Sequence, residues 1–131
     1  MIYYPAVLVI GAAHIFFCMK TSPVDDHSLS YADAIEVSKD VTDFCQEEKL
    51  RFENIYAGFL MRTYLSDEYA GYVKKEDVFT NTQAAFNEST RYLIQTNYEN
   101  DGQEFITGSK AILLKRFEKN NCWSEIYRIQ K

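Results

Sequence analysis

The chain has 131 residues and a formal net charge of −5, enough material for one domain. Of the 14 basic residues only Lys20 precedes Thr21, so residues 21–131 set 13 basic against 19 acidic side chains, a net of −6. Such a domain repels phosphate backbones and anionic lipid headgroups, which argues against nucleic acid as a partner and against peripheral docking on membranes. A hydrophobic content of 47% excludes disorder along the whole chain.

Residues 2–19 contain no Asp, Glu, Lys or Arg, and from Ala6 to Cys18 the run is apolar except for His14. An uncharged stretch of this length at the start of the sequence is expected to be a signal peptide or signal anchor over residues 1–20, in the form of a hydrophobic targeting helix. The competing reading is a buried strand or core helix, favoured by the β-branched Val7, Val9 and Ile10. Pro5, Gly11 and the short span favour removal. The n-region lacks Lys and Arg and no small-residue cleavage site sits at the right distance, which favours retention. Lys20 alone gives a weak positive-inside hint for a cytosolic C-terminal domain. The balance is an exported protein, secreted or extracytoplasmic, with a single-pass membrane-anchored form as the alternative. Any membrane contact is through residues 1–20, if they are retained.

Residues 21–29 have the Pro, Ser and Asp content of a linker, and a single α+β domain is expected over residues 30–131. Ser30 can cap a helix in which Tyr31, Ala34, Ile35, Val37, Val41, Phe44 and Cys45 follow three-and-four spacing. Asp33 and Glu36 suit the positive end of its dipole. The same spacing at Phe52, Ile55, Tyr56, Phe59, Leu60 and Tyr64 predicts a second helix, and a short third one is expected over residues 67–75. From Arg91 the pattern changes to strands. Residues 92–98 have strand composition, and Asn100-Asp101-Gly102 is a tight-turn signal. Phe105-Ile106-Thr107 and residues 111–117 follow as strands. After a turn at Asn120-Asn121, Cys122, Ser124, Ile126 and Arg128 alternate with Trp123, Glu125, Tyr127 and Ile129. Helices first and strands last predict an α+β fold, with helices packed on a C-terminal antiparallel meander of three to four strands.

This order resembles two broad fold groups, the cystatin-like proteins, in which a meander wraps a long helix, and the NTF2-like proteins. Trp123 in a late strand resembles the second group, which implies a cone-shaped pocket for a small molecule. Leu29-Ser30-Tyr31-Ala32-Asp33-Ala34 is similar to the start of the helix in cathelicidin pro-domains, which are secreted and cystatin-like. That likeness covers six positions, and the cysteine pattern of those domains is missing.

The chemistry-bearing residues are few. The two histidines, His14 and His27, lie in the targeting segment and the linker, so a His-based triad or metal site in the domain is not expected. The five glycines form no phosphate-binding loop. The acid pairs Asp25-Asp26, Glu47-Glu48, Asp67-Glu68 and Glu76-Asp77 fall in polar stretches and read as solvated surface. No catalytic, cofactor-binding or metal-ligating residue is therefore assigned, and no cofactor is expected. Removal of residues 1–20 takes Cys18 away and leaves Cys45 and Cys122, an even count that makes a disulfide possible in an exported domain. Asn87-Glu88-Ser89 matches the N-glycosylation acceptor pattern. Aromatic content is 15%, most of it expected in the core, with Tyr69, Tyr72 and Tyr98 as candidates for exposure. Together these features predict a small non-enzymatic domain that binds another protein, as a ligand, inhibitor or host-directed factor. An NTF2-like pocket domain and a membrane-anchored subunit of a larger assembly are the alternatives.

Overall fold

The computed structural model describes residues 30–99 and 110–130, and its first element is an 18-residue helix, α1 (Ser30–Glu47). Ala34, Val37, Val41 and Cys45 bury the predicted face. Ser38 and Thr42 are buried beside them and are satisfied: Thr42 Oγ1 donates to the Ser38 carbonyl at 2.9 Å, and Ser38 Oγ bonds the Tyr98 hydroxyl at 2.9 Å. The helix stops where Lys49 takes a left-handed φ of 58°, the conformation that usually falls to glycine at a helix C-terminus. A 3₁₀ turn (Leu50–Phe52) follows.

The predicted second helix begins later than its periodicity suggests. Ile55–Ala57 form a strand, β1, with all three residues buried, and α2 runs only from Phe59 to Ser66. A short apolar run covered on both faces carries no alternation, so a buried parallel strand and a helical stripe look alike in sequence. Gly58 separates the two elements for a specific reason. The Glu99 carboxylate accepts the Leu60 N–H with one oxygen and the Met61 N–H, at 3.4 Å, with the other. It thereby supplies the negative charge that the start of a helix favours. A Cβ on residue 58 would fall 2.7 Å from Glu99 Oε2. The expected third helix is instead two 3₁₀ turns, Glu68–Ala70 and Lys75–Asp77, and Gly71 at φ 82° closes the first.

Three more strands and a short one complete the sheet: β2 (Thr82–Gln83), β3 (Tyr92–Thr96), β4 (Lys110–Lys119) and β5 (Cys122–Gln130). The order is β2-β1-β3-β5-β4. β1 is parallel to both β2 and β3, whereas β5 is antiparallel to β3 and β4. The α+β class stands, but the antiparallel meander does not: the sheet is mixed, and β5 lies between β3 and β4. Burial explains the insertion. Cys122, Ser124 and Ile126 of β5 are buried, while β4 carries Lys110, Lys115, Arg116, Glu118 and Lys119. Charge-rich strands belong at sheet edges. The β4–β5 turn is Asn120-Asn121, where Asn120 takes the positive φ (51°) that tight hairpins demand.

Both helices lie on one face of the sheet. Val41, Cys45, Leu50, Met61, Leu65, Val73 and Phe79 meet Ile55, Ala57, Ile94 and Ile126 there, and Ala34 and Val37 meet Cys122. The expected targeting helix (residues 1–20), the linker (residues 21–29), the Asn100-Asp101-Gly102 turn and the strand at Phe105-Ile106-Thr107 lie outside the described residues. No helix among the described residues is long and apolar enough to cross a membrane.

The possible bridge between Cys45 and Cys122 is not formed; both thiols are free and buried. Cys122 Sγ lies 3.4 Å from the carbonyl of Ser30, at the first turn of α1, while Cys45 sits in its last turn. Fifteen helical residues separate the two ends by about 22 Å, far beyond the Cα separation of about 4–7 Å that a disulfide allows. Burial also pushes the Cys45 thiol up to about 12, so it is held as unreactive thiol. Alkylation at pH 8 should therefore leave Cys45 and Cys122 unmodified in the native protein. Denaturant alone, without reductant, should expose both, read as two added labels on these residues by peptide mass mapping.

Candidate functional site

The hairpin of β4 and β5 gives the domain two different surfaces. On the helix side, Lys119 pairs in register with Cys122, Phe117 with Ser124 and Lys115 with Ile126. On the opposite side, Glu118 faces Trp123 and Arg116 faces Glu125. The Arg116 guanidinium bridges Glu118 (2.9 Å) and Glu125 (2.7 Å) and lies 4.9 Å from the Trp123 ring centroid. The pair with Glu118 is exposed and adds little to stability, whereas Glu125 is largely covered. The Tyr127 hydroxyl donates to Glu125, and burial together with that carboxylate pushes the phenol up to about 12.

Beyond Lys115 the register slips by one residue at Leu114, a β-bulge. Ile112, Leu113 and Leu114 are all exposed, at 37%, 48% and 36%. β4 is an edge of the sheet among the described residues, so three consecutive apolar side chains sit on a strand whose outer backbone groups pair with no other described strand. Bulges and charges normally blunt such an edge; here they flank an apolar centre.

α1 runs beside this edge. Asp33, Glu36, Asp40, Asp43 and Glu47 recur at steps of three and four residues and so form one acidic stripe along its flank. The hairpin tip engages the first two: Asn120 Nδ2 donates to Asp33 at 2.9 Å, and Lys119 pairs with Glu36. The next three acids line a groove of about 290 Å³, with Phe44 and Phe117 as its floor and Lys115 on the far wall. The two floor rings meet edge to face at 5.8 Å, and the Lys115 ammonium stands 5.9 Å from the Phe117 centroid.

No family model, curated relative or solved structure matches this chain. The site must therefore be read from its own chemistry. Among the described residues no group of three or more His, Cys, Asp or Glu could hold a metal ion. The acid pairs Glu47-Glu48, Asp67-Glu68 and Glu76-Asp77 do not converge in a groove with a nucleophile; Glu47 alone reaches the groove above β4.

Asn87 of the acceptor tripeptide is exposed, and its loop is ordered by its own side chains. Asn87 Oδ1 accepts from the Ser89 N–H (2.8 Å) and the Ser89 hydroxyl (2.6 Å), while Thr90 Oγ1 donates to Gln83 (2.8 Å). Asn87 Nδ2 makes only a long bond of 3.4 Å to the Ala85 carbonyl.

The tyrosines sort differently from the sequence reading. Tyr69 is 90% exposed, as expected. Tyr72 is half-buried and stacks on Tyr64 at 4.1 Å, and Tyr64 also bonds Tyr31 from α1. Tyr98 lies under α1, its hydroxyl shared between Ser38 and the Met61 sulfur. Proximity to turn residues suggested exposure for Tyr98; the buried Ser38 that receives it gave no signal, because serine in a helix reads as neutral. The acidic stripe could have been found, since its spacing is as regular as that of the apolar face.

Burial raises the phenol pKa of Tyr64, Tyr72 and Tyr98 above the ordinary value of about 10. A raised folded value means that the neutral form is favoured in the fold. The stabilisation is complete below pH 10 and is lost as pH climbs beyond it. Thermal melts should be flat from neutral pH to about 8, decline above about 8.5 as the unfolded Cys45 thiol ionises, and fall more steeply beyond about 10 with the tyrosines. Tyr98→Phe, which deletes the bond to Ser38, should cost about 1 kcal/mol in urea titrations at pH 7.

Proposed function

We propose that this is an exported, non-enzymatic domain whose task is to bind another protein, and that the β4 edge is where it does so. The observation that carries the reading is the exposed Ile112-Leu113-Leu114 run on a strand that is an edge of the sheet among the described residues. An edge of this kind accepts an added strand: main-chain hydrogen bonds provide affinity and side-chain pockets provide choice. Ile112 and Leu113 point to opposite faces and Leu114 occupies the bulge, yet all three are exposed, more apolar exposure than a blunted edge retains. Export rests on the uncharged residues 2–19, and Asn87 is an exposed acceptor that fits a eukaryotic secretory route.

Two measurements bear on this. Selection of a displayed peptide library on the full chain should enrich binders that lose most of their affinity for Leu113→Pro, because proline is tolerated at an edge yet cannot donate to an incoming strand. Binders indifferent to that change would remove β4 as the site, and repeated failure to enrich any would remove the binding function. On expression in a secreting eukaryotic cell, the protein should enter the medium with a glycan removable by glycosidase and absent from Asn87→Gln.

A further inference from the structure

We infer that the partner strand at β4 is a basic one, an extended segment in which Lys or Arg alternates with apolar residues. This rests on β4 being the binding edge and names the chemistry that it selects. An added strand continues the sheet, so its alternate side chains fall on the helix side, beside Phe117 and Lys115, and under the flank of α1. What awaits them is the groove lined by Asp40, Asp43 and Glu47, all three exposed and none within 4 Å of a basic nitrogen among the described residues. A long cationic side chain can lay its stem on Phe44 and Phe117 and bring its head to those carboxylates. Lys115 already places its ammonium over the Phe117 ring from within the molecule, without reaching the three carboxylates. The remaining side chains of the added strand fall on the opposite face, where Leu113 is 48% exposed and an apolar residue would cover it.

The same charges argue against a second copy of this chain as occupant. Pairing β4 with its own copy through a two-fold axis normal to the sheet keeps both helix faces on one side. Two acidic stripes would then flank a single junction, and like charges so placed oppose association. An acidic peptide meets the same repulsion.

The test is fluorescence polarisation with the full chain and three labelled synthetic peptides: alternating lysine and valine, alternating glutamate and valine, and the lysine peptide with its central valines replaced by proline. The first should bind with a salt-sensitive Kd and the other two should not. Asp40→Lys, Asp43→Lys and Glu47→Lys together should weaken the lysine peptide at least about tenfold, as expected for three exposed charge pairs. Lys115→Gln, which removes the internal cation, should tighten it. All four positions lie on the surface, and a merely unfolded variant could not bind more tightly. Equal or better binding of the glutamate peptide overturns the basic partner while leaving β4 as the edge used. Binding of the proline peptide overturns strand addition. Failure of every peptide overturns the proposal, with hydrogen exchange of the free chain and sedimentation naming the cause. Protected β4 amides in a monomer mean that the chain covers its own edge, and a dimer broken by Leu113→Glu means that a second copy does.

Discussion

The position of β5 is the constraint on which the rest depends. Its Cys122, Ser124 and Ile126 are buried under α1, and it holds β3 on one side and β4 on the other. No other described strand joins these two. Because the buried strand takes the interior place, the charged strand is left at the edge, and the bulge at Leu114 then decides which of its side chains face outward. The apolar run, the groove beside it and the proximity of the acidic flank all follow from that one exchange of neighbours.

The polar contacts within the core fix α1 and α2 against the sheet more specifically than apolar packing alone would. Ser38 meets Tyr98 from the end of β3, and the adjacent Glu99 closes the first turn of α2. Two consecutive residues thus tie the strand's exit to both helices. Gly58 is part of the same arrangement, since a side chain there would occupy the space of the Glu99 carboxylate.

Much of this was legible in the sequence, though unevenly. α1, β3, β4, the Asn120-Asn121 turn and β5 follow from periodicity and turn chemistry, because each is amphipathic or bounded by residues with strong local preferences. β1 was not, as Ile55–Ala57 are covered on every side and carry no alternation. Strand order was not either. Hairpin signals specify which strands are consecutive, whereas the placement of β5 beside β3 is settled by burial summed over the whole sheet. The candidate site shared both fates. Its acids stand at regular spacing on a helix that the sequence predicts, but their relevance appears only once β4 is known to lie alongside them.

The place of β5 also bears on synthesis. It follows every other described element in the chain, yet it is the piece that links β1, β2 and β3 to β4. As the polypeptide emerges from the ribosome, the parallel strands and β4 remain separate until β5 appears. Ile94 and Phe117 share α1 as a neighbour, but no strand joins their two parts of the sheet until then. Non-local closure of this kind is slow and leaves unpaired strands exposed while it is pending. Until β5 is made, the inner edges of β3 and β4 are unpaired, the kind of surface that holding chaperones cover.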